Sequence, residues 1–311
     1  MGKKITMTEV VSRDGLQIEP NFIETEYKIS LIKRLMDAGV KRFEVTSFVH
    51  PKYVPQMSDA EEVMRGLRDR PDDVTFCTLA LNEKGVERAI SAGTDEINFT
   101  FSLSETHNGK NSRRSVSESL ENIKSLVKRA DEVNIPVNVG IATGFGCPFE
   151  GIYSPDRLIP VVTQLTDWGI TSILLADTTG MAHPNQVKQT CQLIIEQFPG
   201  VRLQLHLHNT RGMGAANVVA GIEAGVTQFD SSLAGIGGCP FAPGASGNIC
   251  TEDIVHMLHL MGYETNMNID KLLLISRNLE EKLGKSLPGQ LMKAGKSTDL
   301  HSKEWQAVTS K

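Results

Sequence analysis

The stretch DAGVKRFEV, residues 37–45, decides the fold, because it returns as SAGTDEINF (91–99), DWGITSILL (167–175) and EAGVTQFDS (223–231). Each copy reads as a helix ending at a glycine, a short turn and then a β-strand. Working outward gives eight short β-rich segments: ITMTEV (5–10), RFEVTS (42–47), VTFCTL (74–79), EINFTF (96–101), PVNVGIA (136–142), SILLAD (172–177), RLQLHLH (202–208) and QFDSSL (228–233). Stretches of helical period lie between most of them, over 26–40, 59–67, 83–92, 116–133, 155–168, 184–198 and 213–224. In the first, Ile29, Ile32, Leu35 and Met36 recur every three or four residues and Gly39 supplies the stop. Alternating strands and helices imply parallel pairing, and eight such units close into a barrel. The expected class is therefore α/β, a single domain over 1–311. A (β/α)8 TIM barrel occupies 1 to about 262, and an additional C-terminal helix (268–283) and polar tail lie within 263–311.

The bulk numbers narrow the function. A formal net charge of −5, with 40% hydrophobic and 22% charged residues, gives no electrostatic reason to expect nucleic acid as a partner. Five cysteines, at 77, 147, 191, 239 and 250, are odd in number and form no CxxC pair, which suits reduced thiols in the cytoplasm. After Lys3 and Lys4 the apolar run is broken by Thr6, Thr8 and Glu9, so no secretory core follows, and no stretch has the length of a membrane span. MGKKIT fits a loose myristoylation pattern, but Gly2 stands three residues before a strand and reads as the start of the fold.

In such a barrel the active site forms at the carboxyl ends of the strands. The polar residues there are Arg13, Asp14 and Gln17 after the first strand, Glu44 and Ser47 on the second, Asp177 and Thr178 after the sixth, and His206 and His208 on the seventh. Two histidines two residues apart on a strand project from one face. With Asp14 they offer two nitrogens and one oxygen to a metal, and Asn248 could close one side with its amide oxygen. Ligation by oxygen and imidazole without thiolate suits magnesium or manganese better than a structural zinc. GIGGCPFAPGASGN (235–248) is too rich in glycine and proline for helix or strand and reads as a loop over the site, carrying Cys239 as an acid, a nucleophile or a bystander. Arg13 beside a metal suits stabilisation of an oxyanion or enolate. Glu44 is either its core partner or a direct participant, and Cys147 reads as packing.

RDGLQ (13–17), EVTSFVHPKYVPQM (44–57), GCPFEG (146–151), DTTG (177–180), HLHN (206–209) and AGIGGCPFAPGASGN (234–248) together resemble the hydroxymethylglutaryl-CoA lyase family of metal-dependent barrels. That resemblance implies a divalent cation, Mg2+ or Mn2+, held by Asp14, His206, His208 and Asn248, and an acyl-CoA substrate. It also implies a retro-Claisen cleavage releasing acetyl-CoA. Arg13 would stabilise the enolate and Glu44 hold Arg13; Cys239 would return a proton to carbon. Asp177 resembles the family's active-site aspartate, His206 would help move protons, and Gln17, Ser47 and Thr178 would contact substrate. A homo-oligomer is expected, since barrels of this kind commonly pair.

Three places depart from the pattern. Asn209 and Arg211 stand where the family reads roughly HDTYGQ, Ala176 stands where glycine is typical, and Arg113 and Arg114 add basic charge, suited either to CoA phosphates or to a solvated helix start. The expectation is that these changes reshape the acyl pocket, toward a substrate such as citramalyl-CoA. A condensing synthase of the same superfamily would share RDG and HxH but lack the GGCPFAPGASGN loop, and a zinc amidohydrolase would carry its HxH after the first strand. A non-enzymatic scaffold would have lost some of the site residues, whereas all are present.

Overall fold

In the computed structural model, which describes residues 3–238 and 247–300, eight parallel strands close into a barrel. They are β1 (Thr6–Glu9), β2 (Arg42–Ser47), β3 (Thr75–Leu79), β4 (Glu96–Ser102), β5 (Val137–Ala142), β6 (Ser172–Asp177), β7 (Arg202–Leu207) and β8 (Gln228–Ser231). Each pairs with the next in chain order and β8 returns to β1, as the alternating pattern predicts. The helices outside are α1 (Thr25–Asp37), α2 (Ala60–Gly66), α3 (Glu83–Ala92), α4 (Glu105–Ser112), α5 (Val116–Asp131), α6 (Ile159–Asp167), α7 (Pro184–Gln197), α8 (Gly214–Glu223) and α9 (Thr251–Leu260), followed by α10 (Ile269–Leu283) and the short α11 (Leu291–Ala294).

The repeated unit has a backbone cause. Gly39, Gly93, Gly169 and Gly225 each adopt positive φ, at 95°, 81°, 82° and 104°, a conformation costly for a residue with a Cβ. The turn they make sends the chain from an outer helix straight into the next barrel strand.

The apolar core lies between the strands and the helices. Phe43, Phe76, Phe99, Ile141, Ile173, Leu205 and Phe229 alternate along the strands and are all buried, each such side chain contributing about 1.5–3 kcal/mol relative to exposure. The other strand face, lining the barrel interior, is polar: Thr8, Glu44, Glu96, Asn138, Ser172, Gln204 and Asp230 are also buried. The strands run in register there, Thr8 opposite Asp230, Asp230 opposite His206 and His206 opposite Ala176.

Three features differ from the sequence reading, the first being α9 (Thr251–Leu260), which has no counterpart among the expected helices. Residues 105–112 form α4, a helix not assigned above because its polar, glycine-containing sequence carries almost no apolar period; Ser104 caps it by accepting from the His107 amide at 3.0 Å. The expected polar tail after α10 is packed as far as Met292, since Leu287, Leu291 and Met292 are buried and the Gly289 amide donates to the Ala234 carbonyl at 3.0 Å. Among the described residues no helix is long and apolar enough to cross a membrane.

Candidate active site

The site begins in the chain's exit from β1. Val11–Gly15 forms one wide helical turn, with the Leu16 amide bonded to the Val11 carbonyl at 2.9 Å, and wide turns of this kind recur at functional sites. It turns Arg13 and Asp14 inward over the barrel mouth. The Arg13 guanidinium donates from Nη1 to Asp14 Oδ1 at 2.8 Å and grips the Glu44 carboxylate with Nε and Nη2. Asn98 on β4 donates to the other Glu44 oxygen at 2.7 Å. Glu44 is thus the partner of Arg13, the first of the two readings open from the sequence.

The histidines of β7 face Asp14. His206 Nε2 lies 3.0 Å from His208 Nε2 and 4.0 Å from Asp14 Oδ2, and one donor atom from each of the three residues lies within 4.8 Å of the others. The segment after the loop returns beside β7: the Asn209 amide donates to Gly247 at 3.0 Å and the Ile249 amide to Leu207 at 3.0 Å. That pairing sets Asn248 opposite His208. The Asn248 amide nitrogen then donates to Asp14 Oδ2 at 2.7 Å and to the Ile236 carbonyl at 3.1 Å.

The electrostatics fit a cation. Burial opposes charge on Asp14, but Arg13 first, then His206 and His208, hold its carboxyl below the ordinary carboxylate range. Burial and the neighbouring His206 push His208 down to about 3, leaving a neutral imidazole with a lone pair to give. Its Nδ1 is buried and, among the described residues, finds no hydrogen-bond partner. Two imidazoles and a carboxylate converging at one buried corner are the donor set of a divalent metal, and a cation there would relieve the close approach of their lone pairs.

The remaining predicted residues fall around this corner in different states. Gln17 donates to Asp14 Oδ1 at 2.8 Å, so its amide nitrogen orients the carboxylate. The Ser47 hydroxyl, at the end of β2, is buried without a partner among the described residues. Thr178 accepts from the Thr143 amide at 3.0 Å, tying the ends of β5 and β6 together. Asp177 accepts from the Met181 and Ala182 amides at 2.8 and 3.1 Å, and burial pushes its carboxyl up to about 6. Cys239 lies outside the described residues. Cys147 is buried, its Sγ 3.1 Å from the Ser104 hydroxyl, in keeping with packing.

Of the positions expected to reshape the acyl pocket, Asn209 and Arg211 bond with their side chains to backbone. Asn209 accepts from the Gly214 amide at 3.0 Å at the start of α8, and Arg211 donates to the Thr179 and Gly180 carbonyls at 2.8 and 2.9 Å. Arg113 is exposed at the end of α4, and the Arg114 carbonyl accepts from Asn108 at 2.9 Å. Two buried residues absent from the sequence reading complete the site: Asp230 on β8, whose Oδ2 lies 3.0 Å from His206 Nδ1, and Gln204 on β7, which donates to the other Asp230 oxygen.

The model of the HMGL-like family matches residues 4–279. The chain belongs to the HMGL-like family. Within it, the chain is 43% identical over 296 residues to hydroxymethylglutaryl-CoA lyase of Bacillus subtilis, covering 95% of this chain and 99% of that one. It is 39% identical to (R)-citramalyl-CoA lyase of Chloroflexus aurantiacus, over 94% of this chain and 95% of that one. Among solved structures, an HMG-CoA lyase from A. baumannii in complex with coenzyme A and 3-methylmalate superposes with a TM-score of 0.91 at 45% identity, covering 96% of this chain and 97% of that one. Family membership and closed-barrel fold thus agree with the resemblance read from the motifs.

Proposed function

We propose that the chain is a divalent-metal-dependent hydroxymethylglutaryl-CoA lyase, cleaving 3-hydroxy-3-methylglutaryl-CoA to acetyl-CoA and acetoacetate. The observation that carries this reading is the convergence of Asp14, His206 and His208 within 4.8 Å, with Arg13 bonded to the same Asp14 at 2.8 Å. Asp14, His206, His208 and Asn248 would hold Mg2+ or Mn2+, which when bound supplies a Lewis acid at the substrate's hydroxyl and carboxylate.

The chain's own residues do the rest. Asp177, whose carboxyl burial pushes up to about 6, is the titrating group suited to accept the proton of the 3-hydroxyl. As that proton leaves, the hydroxyl oxygen becomes a ketone, the bond from C3 to the thioester α-carbon breaks, and its electron pair passes to the thioester as an enolate. Arg13, held by Glu44, offers its guanidinium to the enolate oxygen, an interaction worth about 3 kcal/mol per donor. Cys239 is assigned, by the family resemblance, the return of a proton to the α-carbon. Gln17, Ser47 and Thr178 are proposed to contact substrate, and the Ser47 hydroxyl, without a partner among the described residues, supports this for that residue. The partner is an acyl-CoA and the proposed assembly a homo-oligomer.

The same cleavage of citramalyl-CoA is a second reading, favoured by the 39% identity to the C. aurantiacus enzyme. Side-by-side turnover of the two thioesters decides between them. Acetoacetate formed with the higher kcat/KM supports the first reading; pyruvate formed with the higher kcat/KM replaces it with the second.

A further inference from the structure

The barrel interior carries a chain of hydrogen bonds that runs from the mouth opposite the site up to His206. Arg202, at the start of β7 and with 42% of its side chain exposed, donates from Nε and Nη2 to the Ser172 hydroxyl at 3.1 and 2.8 Å. Ser172 donates to Asn138 Oδ1 at 3.0 Å. Asn138 Nδ2 faces Gln204 Oε1 at 3.5 Å, and Gln204 Nε2 donates to Asp230 Oδ1. Asp230 Oδ2 then meets His206 Nδ1 at 3.0 Å. Apart from Arg202, every member is buried.

The direction of this chain is forced by chemistry. A guanidinium only donates, so the Ser172 oxygen must accept and its one proton must go onward. Onward is Asn138, which must therefore turn its oxygen to Ser172 and its nitrogen to Gln204. Gln204 must in turn present its oxygen to Asn138 and its nitrogen to Asp230. Asp230 takes the Gln204 amide on one carboxyl oxygen and turns the other to His206 Nδ1 at 3.0 Å, the arrangement of a ring N–H donated to a carboxyl oxygen. His206 Nε2 is then the atom left facing Asp14 and His208.

We propose that Asp230 is a positioning residue of the metal centre, fixing His206 with its proton on Nδ1 and its Nε2 directed at the ligand cluster, and that the chain from Arg202 holds the Asp230 side chain in place for this. This rests on the metal-centre reading above. Partners on the far nitrogen of a ligating histidine set its tautomer and ring angle, and their loss costs about 10- to 100-fold in metal affinity.

The test pairs Mn2+ titration, followed by electron paramagnetic resonance, with histidine 15N NMR of the metal-free full chain. In the unsubstituted protein the NMR is expected to find a proton on His206 Nδ1, and Asp230→Asn is expected to weaken Mn2+ binding by about 10- to 100-fold while the far-ultraviolet circular dichroism stays unchanged. A folded Asp230→Asn chain that binds Mn2+ as tightly as the unsubstituted one would overturn the proposal. So would a His206 bearing its proton on Nε2 with Nδ1 bare, a measurement that needs no variant and stands if Asp230→Asn does not fold. Absence of Mn2+ binding by the unsubstituted chain would instead overturn the metal-centre reading and, with it, Asp230's part in one.

Discussion

Glu44 clasps the guanidinium of Arg13 from the neighbouring strand, and Arg13 in turn bonds Asp14, so one ionic chain joins the barrel interior to the proposed metal ligands. Because Asn98 holds the second Glu44 oxygen at 2.7 Å, the guanidinium is fixed before substrate arrives. Removing the donor by Arg13→Met is expected to lower kcat by about 10²- to 10³-fold, the cost of losing one oxyanion donor. Glu44→Gln, which leaves the guanidinium present but loosely held, is expected to lower kcat by a smaller factor, about 10- to 100-fold, with little change in KM. Steady-state acetyl-CoA release measures both, and a Glu44→Gln chain with unchanged kcat would show that Arg13 needs no such clamp.

Gly237 predicts a backbone effect. Its φ is 103°, and a Cβ there would lie 2.7 Å from Asn248 Nδ2 and 2.8 Å from the Asp14 carbonyl oxygen. Gly237→Ala must therefore displace a proposed ligand or strain the chain, so a destabilisation of about 1–3 kcal/mol in urea unfolding is expected, together with weaker Mn2+ binding. Unchanged values for both would mean that the close approach is not needed.

Much of this was legible in the sequence. The glycine-terminated repeat and the strand-helix alternation gave eight strands in their observed order, and the polar strand ends included all three members of the Asp14, His206 and His208 cluster. Asp230 and Gln204 lie within their strands, below the strand ends where a barrel's site residues are expected. A signal was present: RLQLHLH alternates strictly and QFD has the same polar-apolar-polar order, although a parallel sheet buried on both faces ordinarily reads as a continuous apolar run. The alternation reports a hydrogen-bonded interior. Helix α4 left no comparable trace, since its ends are set by Ser104 and by a reversal at Arg113 (φ 58°) rather than by apolar period.

Stability should fall as the pH rises. Burial pushes Glu9 from 4.5 up to about 8, against bonds from Thr251, Leu233 and Val11, and pushes Glu252 up to about 7. Both carboxyls bind their protons more tightly folded than unfolded, so folding takes up protons between pH 4.5 and about 8. Their contribution is full below the lower limit, declines through that window and is lost above it. Urea unfolding at about pH 5.5 and about pH 8.5 checks the slope, and Glu9→Gln is expected to flatten it. A slope of opposite sign that Glu9→Gln leaves unaltered would contradict this assignment.

A ligand that binds only the folded state stabilises it in proportion to its excess over Kd, by about 2.7 kcal/mol at a hundredfold excess. Mn2+ is therefore expected to raise Tm and a chelator to lower it again, while His208→Ala abolishes the shift. A persistent shift in His208→Ala would locate the stabilising metal elsewhere.

The most direct measurement is acetyl-CoA formation from hydroxymethylglutaryl-CoA by metal-stripped protein before and after Mn2+ is added back. No release is expected from the stripped protein, and rapid release, with an equal amount of acetoacetate, once Mn2+ is restored. Equal release with and without the metal, or none from protein that has demonstrably bound Mn2+, would contradict the proposed metal-dependent cleavage.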